Sequence, residues 1–162
     1  MKHLTHLCMI ALLLSLAPAH AEPPSDADAL RGVETGKVVF DMNTTDAEKT
    51  ALYLMVIRET VNDLIRQGVK PDVILAFRGP SVGMISKDRQ QADPGDFEHL
   101  DKIAAQLAEL QKQGVRMESC SVAARMLKVD NDQLLDGVKP VGNTFISLTG
   151  YQAQGYAIIP IY

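Results

Sequence analysis

The 162-residue chain has two cysteines, no tryptophan and only 5% aromatic residues. So few rings argue against a surface that stacks sugars or bases. No apolar run approaches the roughly 20 residues needed to span a bilayer. The run Leu7–Leu16 follows the positive start at Lys2 and precedes the small-x-small motif Ala19-His20-Ala21. That arrangement predicts an export signal, Met1–Ala21, cleaved before Glu22. The mature protein is expected to be soluble and periplasmic or secreted, with no membrane insertion. Cys8 lies within the apolar run, lacks the small residues that precede a lipidated cysteine, and departs with the signal. Cys120 is then the only cysteine left, so no internal disulfide forms and the fold must rest on its own core. A lone thiol in an oxidising compartment calls for an explanation. Three of the four histidines leave as well, and His99 alone makes no zinc or copper site of the usual His/Cys kind within one subunit.

Removing 21 residues from 162 leaves 141, the size of one domain with a sizeable core. Lys2 goes and no acid does, so 15 basic residues face 20 acidic ones, a net charge of about −5. That balance argues against nucleic acid or an anionic membrane as partner.

The stretch 22–35, rich in Pro, Ser, Asp and Ala, reads as a flexible leader before an α/β domain over 36–162. Val38-Val39-Phe40 reads as a strand covered on both faces. Thr45-Asp46-Ala47-Glu48 then forms a capping box for a helix to about Gln67, closed by Gly68. Ala47, Ala51, Leu54, Ile57, Val61, Leu64 and Ile65 share one face of that helix, while Leu52 and Val56 lie off it and suggest a subunit contact. Asp72–Phe77 repeats the buried-strand pattern, and Gly79–Gly95 reads as a loop. A second helix is expected from Asp96 to Gln113, with Phe97, Leu100, Ile103, Ala104, Leu107 and Leu110 turned inward. A strand at Val115–Glu118, a short helix at Ser121–Lys128, a turn of helix at Asn131–Leu135 and a strand at Val138–Val141 follow. Thr144–Gln154 reads as helix, and Tyr156–Ile161 as a closing strand whose Pro160 suits a sheet edge. Strands alternating with helices predict a three-layer α/β/α domain with a mostly parallel sheet of about five strands.

Cys120 follows a strand and precedes a helix, which puts it at the carboxyl edge of the sheet, where open α/β folds form ligand crevices. The N–H groups that open the next helix favour thiolate over thiol there. Ser119 and Ser121 are candidates to cap that helix. On position alone, a reactive thiol and a small buried structural one are both open. Gly79-Pro80-Ser81-Val82-Gly83 matches the G-x-S-x-G nucleophile elbow. A proline-containing loop follows it instead of a helix, and His99, 18 residues on, is the only base, so a serine hydrolase is not expected. The turn Asp41–Thr45 lacks the glycines that let backbone approach a pyrophosphate, which argues against a dinucleotide. Asn43-Thr44-Thr45 fits a glycosylation acceptor formally, but its capping role is sufficient.

Val115–Arg125 (VRMESCSVAAR), Leu134–Val138 (LLDGV), Gln154–Ala157 (QGYA) and the loop Phe77-Arg78-Gly79-Pro80, in that order and spacing, resemble the DsrE/DsrF-like proteins associated with sulfur relay. The resemblance implies a compact α/β subunit that assembles into homo- or hetero-oligomers. It also implies that Cys120 accepts sulfur as a persulfide. Arg78, Gly79, Pro80 and Ser121 are the candidates for substrate contact, with no cofactor and no metal expected. The function expected is that of a periplasmic sulfur carrier or sulfurtransferase component, loaded by a donor protein or a small sulfur compound and unloaded by an acceptor. The alternatives are an oligomeric binding or scaffold protein with a structural Cys120, and a redox sensor that forms an intermolecular disulfide.

Overall fold

The computed structural model describes residues 23–162. The export signal expected over Met1–Ala21 and the thiol of Cys8 lie outside these residues. Five strands, β1 (Thr35–Met42), β2 (Lys70–Phe77), β3 (Arg116–Cys120), β4 (Val138–Val141) and β5 (Ala157–Ile161), form one sheet in the order β4-β3-β2-β1-β5. All four pairings are parallel. The helices are α1 (Ala47–Arg66), α2 (Phe97–Lys112), α3 (Ser121–Leu127) and α4 (Thr144–Ala153). The three-layer α/β/α architecture and the edge position of β5 with Pro160 agree with the sequence; the other edge is β4, which carries Pro140.

Alternation along the strands divides the core. Val38, Phe40 and Met42 of β1 and Val73, Leu75 and Phe77 of β2 enter the main cluster with Leu54, Ile57 and Val61 of α1 and Ile103, Leu107 and Leu110 of α2. Val39 and Ile74 point the other way, to a smaller cluster with Tyr156, against which Leu148 and Tyr151 of α4 pack. One sheet face is thus covered by α1, α2 and α3, and the other by α4 alone. The topology explains this split. Successive crossovers from β1 to β4 run in one direction and put their helices on one face, whereas the return from β4 to β5, across the whole sheet, puts α4 on the opposite one.

Several local expectations need correcting. Asp46, not Thr45, caps α1: its Oδ1 accepts from Lys49 N at 2.9 Å, which starts the helix one residue later. Ile65, expected on the inward stripe, is 57% exposed at the last turn of α1, where Leu64 and not Ile65 lies against Gly36 of β1. Phe97 is also exposed, at the first residue of α2, where the Arg89 guanidinium lies 5.8 Å from its ring centre. Within the expected loop, Gly79–Ile85 winds into a 3-10 helix, with Pro80 in its first turn. Residues 23–34 contain no helix or strand, yet hydrogen bonds hold part of them: Asp26 N donates to Gln67 Oε1 at 2.6 Å and Arg66 Nη2 to Pro24 O at 3.2 Å. Leu52 and Val56 are exposed, as their position off the stripe predicts.

Leu54 is fully buried between α1 and the sheet. Leu54→Ala is expected to lower unfolding stability by about 2–5 kcal/mol in urea denaturation, while Ile65→Ala stays within about 0.5 kcal/mol of the parent.

Candidate functional site

Cys120 is the last residue of β3 and the N-cap of α3, without a side-chain cap bond of its own. Register decides its company. Phe77 pairs with Ser119 and Cys120 with Val141, so the residues just beyond β2 and β4, Arg78 and Asn143-Thr144, flank the thiol at the carboxyl edge of the sheet. From β3 the chain leaves for α3 on one face, and from the adjacent β4 it leaves for α4 on the other. The two exits open a crevice between them, as at the ligand sites of open α/β sheets. It measures about 200 Å³, with Cys120 and Arg78 on its wall beside the apolar side chains of Val122, Ala123, Met126 and Phe145.

The thiol is 5% exposed and opens only to this crevice. Burial pushes its pKa up, but the Thr144 hydroxyl and the N–H groups of Thr144, Ala123 and Val122, all turned to the sulfur, outweigh it, and the net direction is down. The hydroxyl has one other acceptor, Phe77 O, at a long 3.5 Å, so its proton can turn to the sulfur when the thiolate forms. Asn143 holds the start of α4 in place by accepting from Phe145 N at 3.0 Å. Farther along, Tyr151 of α4 and Tyr156, just past its end, are tied to the sheet through polar pairs. The Tyr151 hydroxyl donates to Glu118, and the Tyr156 hydroxyl to Asp72 at 2.6 Å. Arg116 bridges Asp72 and Tyr156 at 2.8 and 2.7 Å. Burial, then the hydrogen bond and charge of Glu118, push Tyr151 up to about 12.

On the other side, Arg78 places Nε and Nη2 on the two oxygens of Asp41, at 2.6 and 2.8 Å, with Asp41 buried. Its guanidinium lies 5.4 Å from the ring centre of Phe145. Gly79 adopts φ +54°, and a Cβ there would run into Asn43 Oδ1, so the turn out of β2 requires glycine.

Of the residues expected to contact substrate, Arg78 and Gly79 line the crevice with Cys120. Pro80 and Ser121 do not. Pro80 borders a separate cavity, and the Ser121 hydroxyl accepts from Asn131 Nδ2 at 3.2 Å. Neither Ser119 nor Ser121 caps α3, because Cys120 occupies the cap position and the Ser119 hydroxyl is buried without a partner. Ser81 of the G-x-S-x-G match is fully buried, with its hydroxyl on the carbonyls of Met42 and Arg78, and cannot act as a nucleophile there. The sequence reasoning missed Asp41, Asn143, Thr144 and Phe145. Asn143-Thr144, an Asn N-cap straight after a strand, was the readable signal.

Among the described residues no cluster of His, Cys, Asp and Glu is arranged to hold a metal. No helix among them is long and apolar enough to cross a membrane.

The model of the DsrE/DsrF-like family matches residues 37–161. An uncharacterized protein of Aquifex aeolicus (strain VF5) is 23% identical over 125 residues, which make up 76% of this chain and 55% of that protein; the chain thus spans about half the length of this curated relative. A solved structure of a protein of unknown function from Methanobacterium thermoautotrophicum aligns with a TM-score of 0.62 and 24% identity, over 77% of this chain and 98% of that one. The ychN protein of E. coli aligns with a TM-score of 0.53 and 16% identity, over 78% and 99% of the two chains. These two share the fold.

Because the donors around the sulfur favour its charged form, thiolate is retained below the usual thiol pKa near 8.5 and lost as pH falls through the lowered value. The pH midpoint of Cys120 alkylation is therefore expected below that of a free thiol. Thr144→Val, which removes the hydroxyl at nearly constant volume, is expected to move the midpoint upward.

Proposed function

The chain belongs to the DsrE/DsrF-like family, and we propose that it is a sulfur carrier in which Cys120 takes up sulfane sulfur as a persulfide and passes it to a partner. The observation that carries this reading is the environment of the one thiol among the described residues. It stands on the wall of a crevice, with a hydroxyl and three backbone N–H groups that favour its anion. The thiolate is the nucleophile in sulfur exchange, and rate follows both its fraction and its access. In the loading step, the Cys120 thiolate attacks the outer sulfur of a donor R–S–SH. A bond forms between the two sulfurs, the donor S–S bond breaks, and its electron pair leaves with R–S⁻. The proton stays on the transferred sulfur. Unloading is the same exchange onto an acceptor, so no external oxidant is needed.

The carrier acts outside the cytoplasm once Met1–Ala21 is removed, and it works as a homo-oligomer or together with related subunits. The exposed Leu52, Met55 and Val56 on the outer side of α1 support assembly. The 5% exposure of Cys120 favours one other reading, a binding or scaffold protein in which the thiol only fills space.

Intact-protein mass measurement after incubation with inorganic polysulfide, and separately with an organic persulfide, separates the two. The carrier reading predicts the added mass of one sulfur on the native chain, removed by reductant and absent from Cys120→Ser. No added mass, with a thiol that alkylates only after unfolding, would leave the structural reading.

A further inference from the structure

The crevice holds information about the donor as well as the acceptor thiol. At about 200 Å³ it is smaller than the roughly 300 Å³ at which pockets for drug-sized ligands begin. A group the size of a side chain fits within it. Its walls, apart from Cys120 itself, are chiefly Val122, Ala123, Met126 and Phe145.

Arg78 is the one charged side chain on that wall, and it is already engaged. Both oxygens of Asp41 meet its guanidinium in the two-pronged geometry, and the side chains are only 18% and 7% exposed. An anion entering the crevice thus meets a neutral pair instead of a free cation. The Asn143 side-chain oxygen is an acceptor, and it is committed to Phe145 N. A sulfonate there would lose water and meet an ion pair of zero net charge beside a largely apolar wall. A small alkyl group would bury apolar surface at no such cost.

We infer that this crevice selects organic persulfides with a small apolar carbon group as sulfur donors and discriminates against thiosulfate, because Arg78, the one charged side chain that lines it among the described residues, is paired with Asp41. The inference rests on the carrier reading of Cys120 and adds the class of donor to it. Selection here works by withholding a partner from the wrong substrate. In the loading step propyl persulfide places its propyl group against Val122, Met126 and Phe145 and gives up its outer sulfur, and propanethiolate leaves by the crevice mouth.

The test compares initial rates of sulfur addition to the mature chain from propyl persulfide and from thiosulfate, by intact mass, each divided by the rate of the same donor with free cysteine. The normalised preference for propyl persulfide is expected to be about tenfold or more, the lower end of what one charged hydrogen bond supplies. Two substitutions should reduce that preference by about tenfold. Asp41→Asn releases the Arg78 charge. Met126→Lys, at a position 79% exposed that tolerates a charged side chain, adds an uncommitted cation at the rim even if the first variant fails to fold. Equal normalised rates on the native protein, or a preference that neither folded variant changes, would overturn the inference while polysulfide loading still upheld the carrier. Failure of polysulfide and both donors to load Cys120 would overturn the carrier and, with it, the choice of donor.

Discussion

The site depends on one topological constraint: adjacent strands β3 and β4 send their chains to opposite faces of a parallel sheet. Two neighbouring parallel strands end at the same edge, so their exits must part, and side chains at the parting line only one wall of the gap each. Cys120 is placed at that line by being the last residue of β3, and Asn143-Thr144 by following β4. The thiol consequently receives donors from both sides, Val122 and Ala123 from α3 and Thr144 from α4. Neither helix alone offers this set.

Such an arrangement works only if α4 is held against its sheet face, which it covers without help from another helix. The sheet provides for this in two ways. Val39, Ile74 and Ala76 give an apolar seat, and the rest is polar: Glu118 takes Tyr151, and Asp72 with Arg116 takes Tyr156. Arg116 also lies over both tyrosine rings, at 5.5 and 5.8 Å. These groups are partly exposed, so their role is more to fix the position of α4 than to add much stability. The same face ends in the Arg78–Asp41 pair under Phe145, which links the sheet, the 3-10 turn and the first turn of α4 around the crevice. Burial and activation of the thiol are thus balanced locally. Burial opposes the thiolate, and donors fixed by backbone geometry more than offset it.

Much of this was readable in order along the chain. Val38–Phe40 and Asp72–Phe77 have the uninterrupted apolar character of strands covered on both faces, and Gly68 and Gly114 mark where α1 and α2 stop. Cys120 was identifiable from a strand-then-helix pattern. The errors have a common origin. Ile65 and Phe97 carry the right periodicity but fall in the last turn of one helix and at the first residue of another, and periodicity carries no information on which terminal residues meet the opposing surface. Thr45 and Asp46 are both good N-cap residues, and one residue of phase, set by packing of Ala47 and Ala51 on the sheet, chose Asp46. Ser119 and Ser121 looked like caps until the strand extended through Cys120 and took the cap position itself.

By itself the sequence determined what depends on neighbours in the chain: the alternation of strands and helices, the parallel α/β class that this alternation requires, and the place of the thiol at a strand end. Tertiary structure alone decided which distant residues meet it. Asp41, Arg78, Cys120 and Thr144 lie on four different segments, and they converge because the register of β1, β2, β3 and β4 brings their carboxyl ends to one edge. The pairing of the Arg78 charge is decided in the same way. A charge in a sequence is a formal count, and whether it remains available to a ligand depends on a carboxylate 37 positions away that only the folded sheet puts within 2.6 Å.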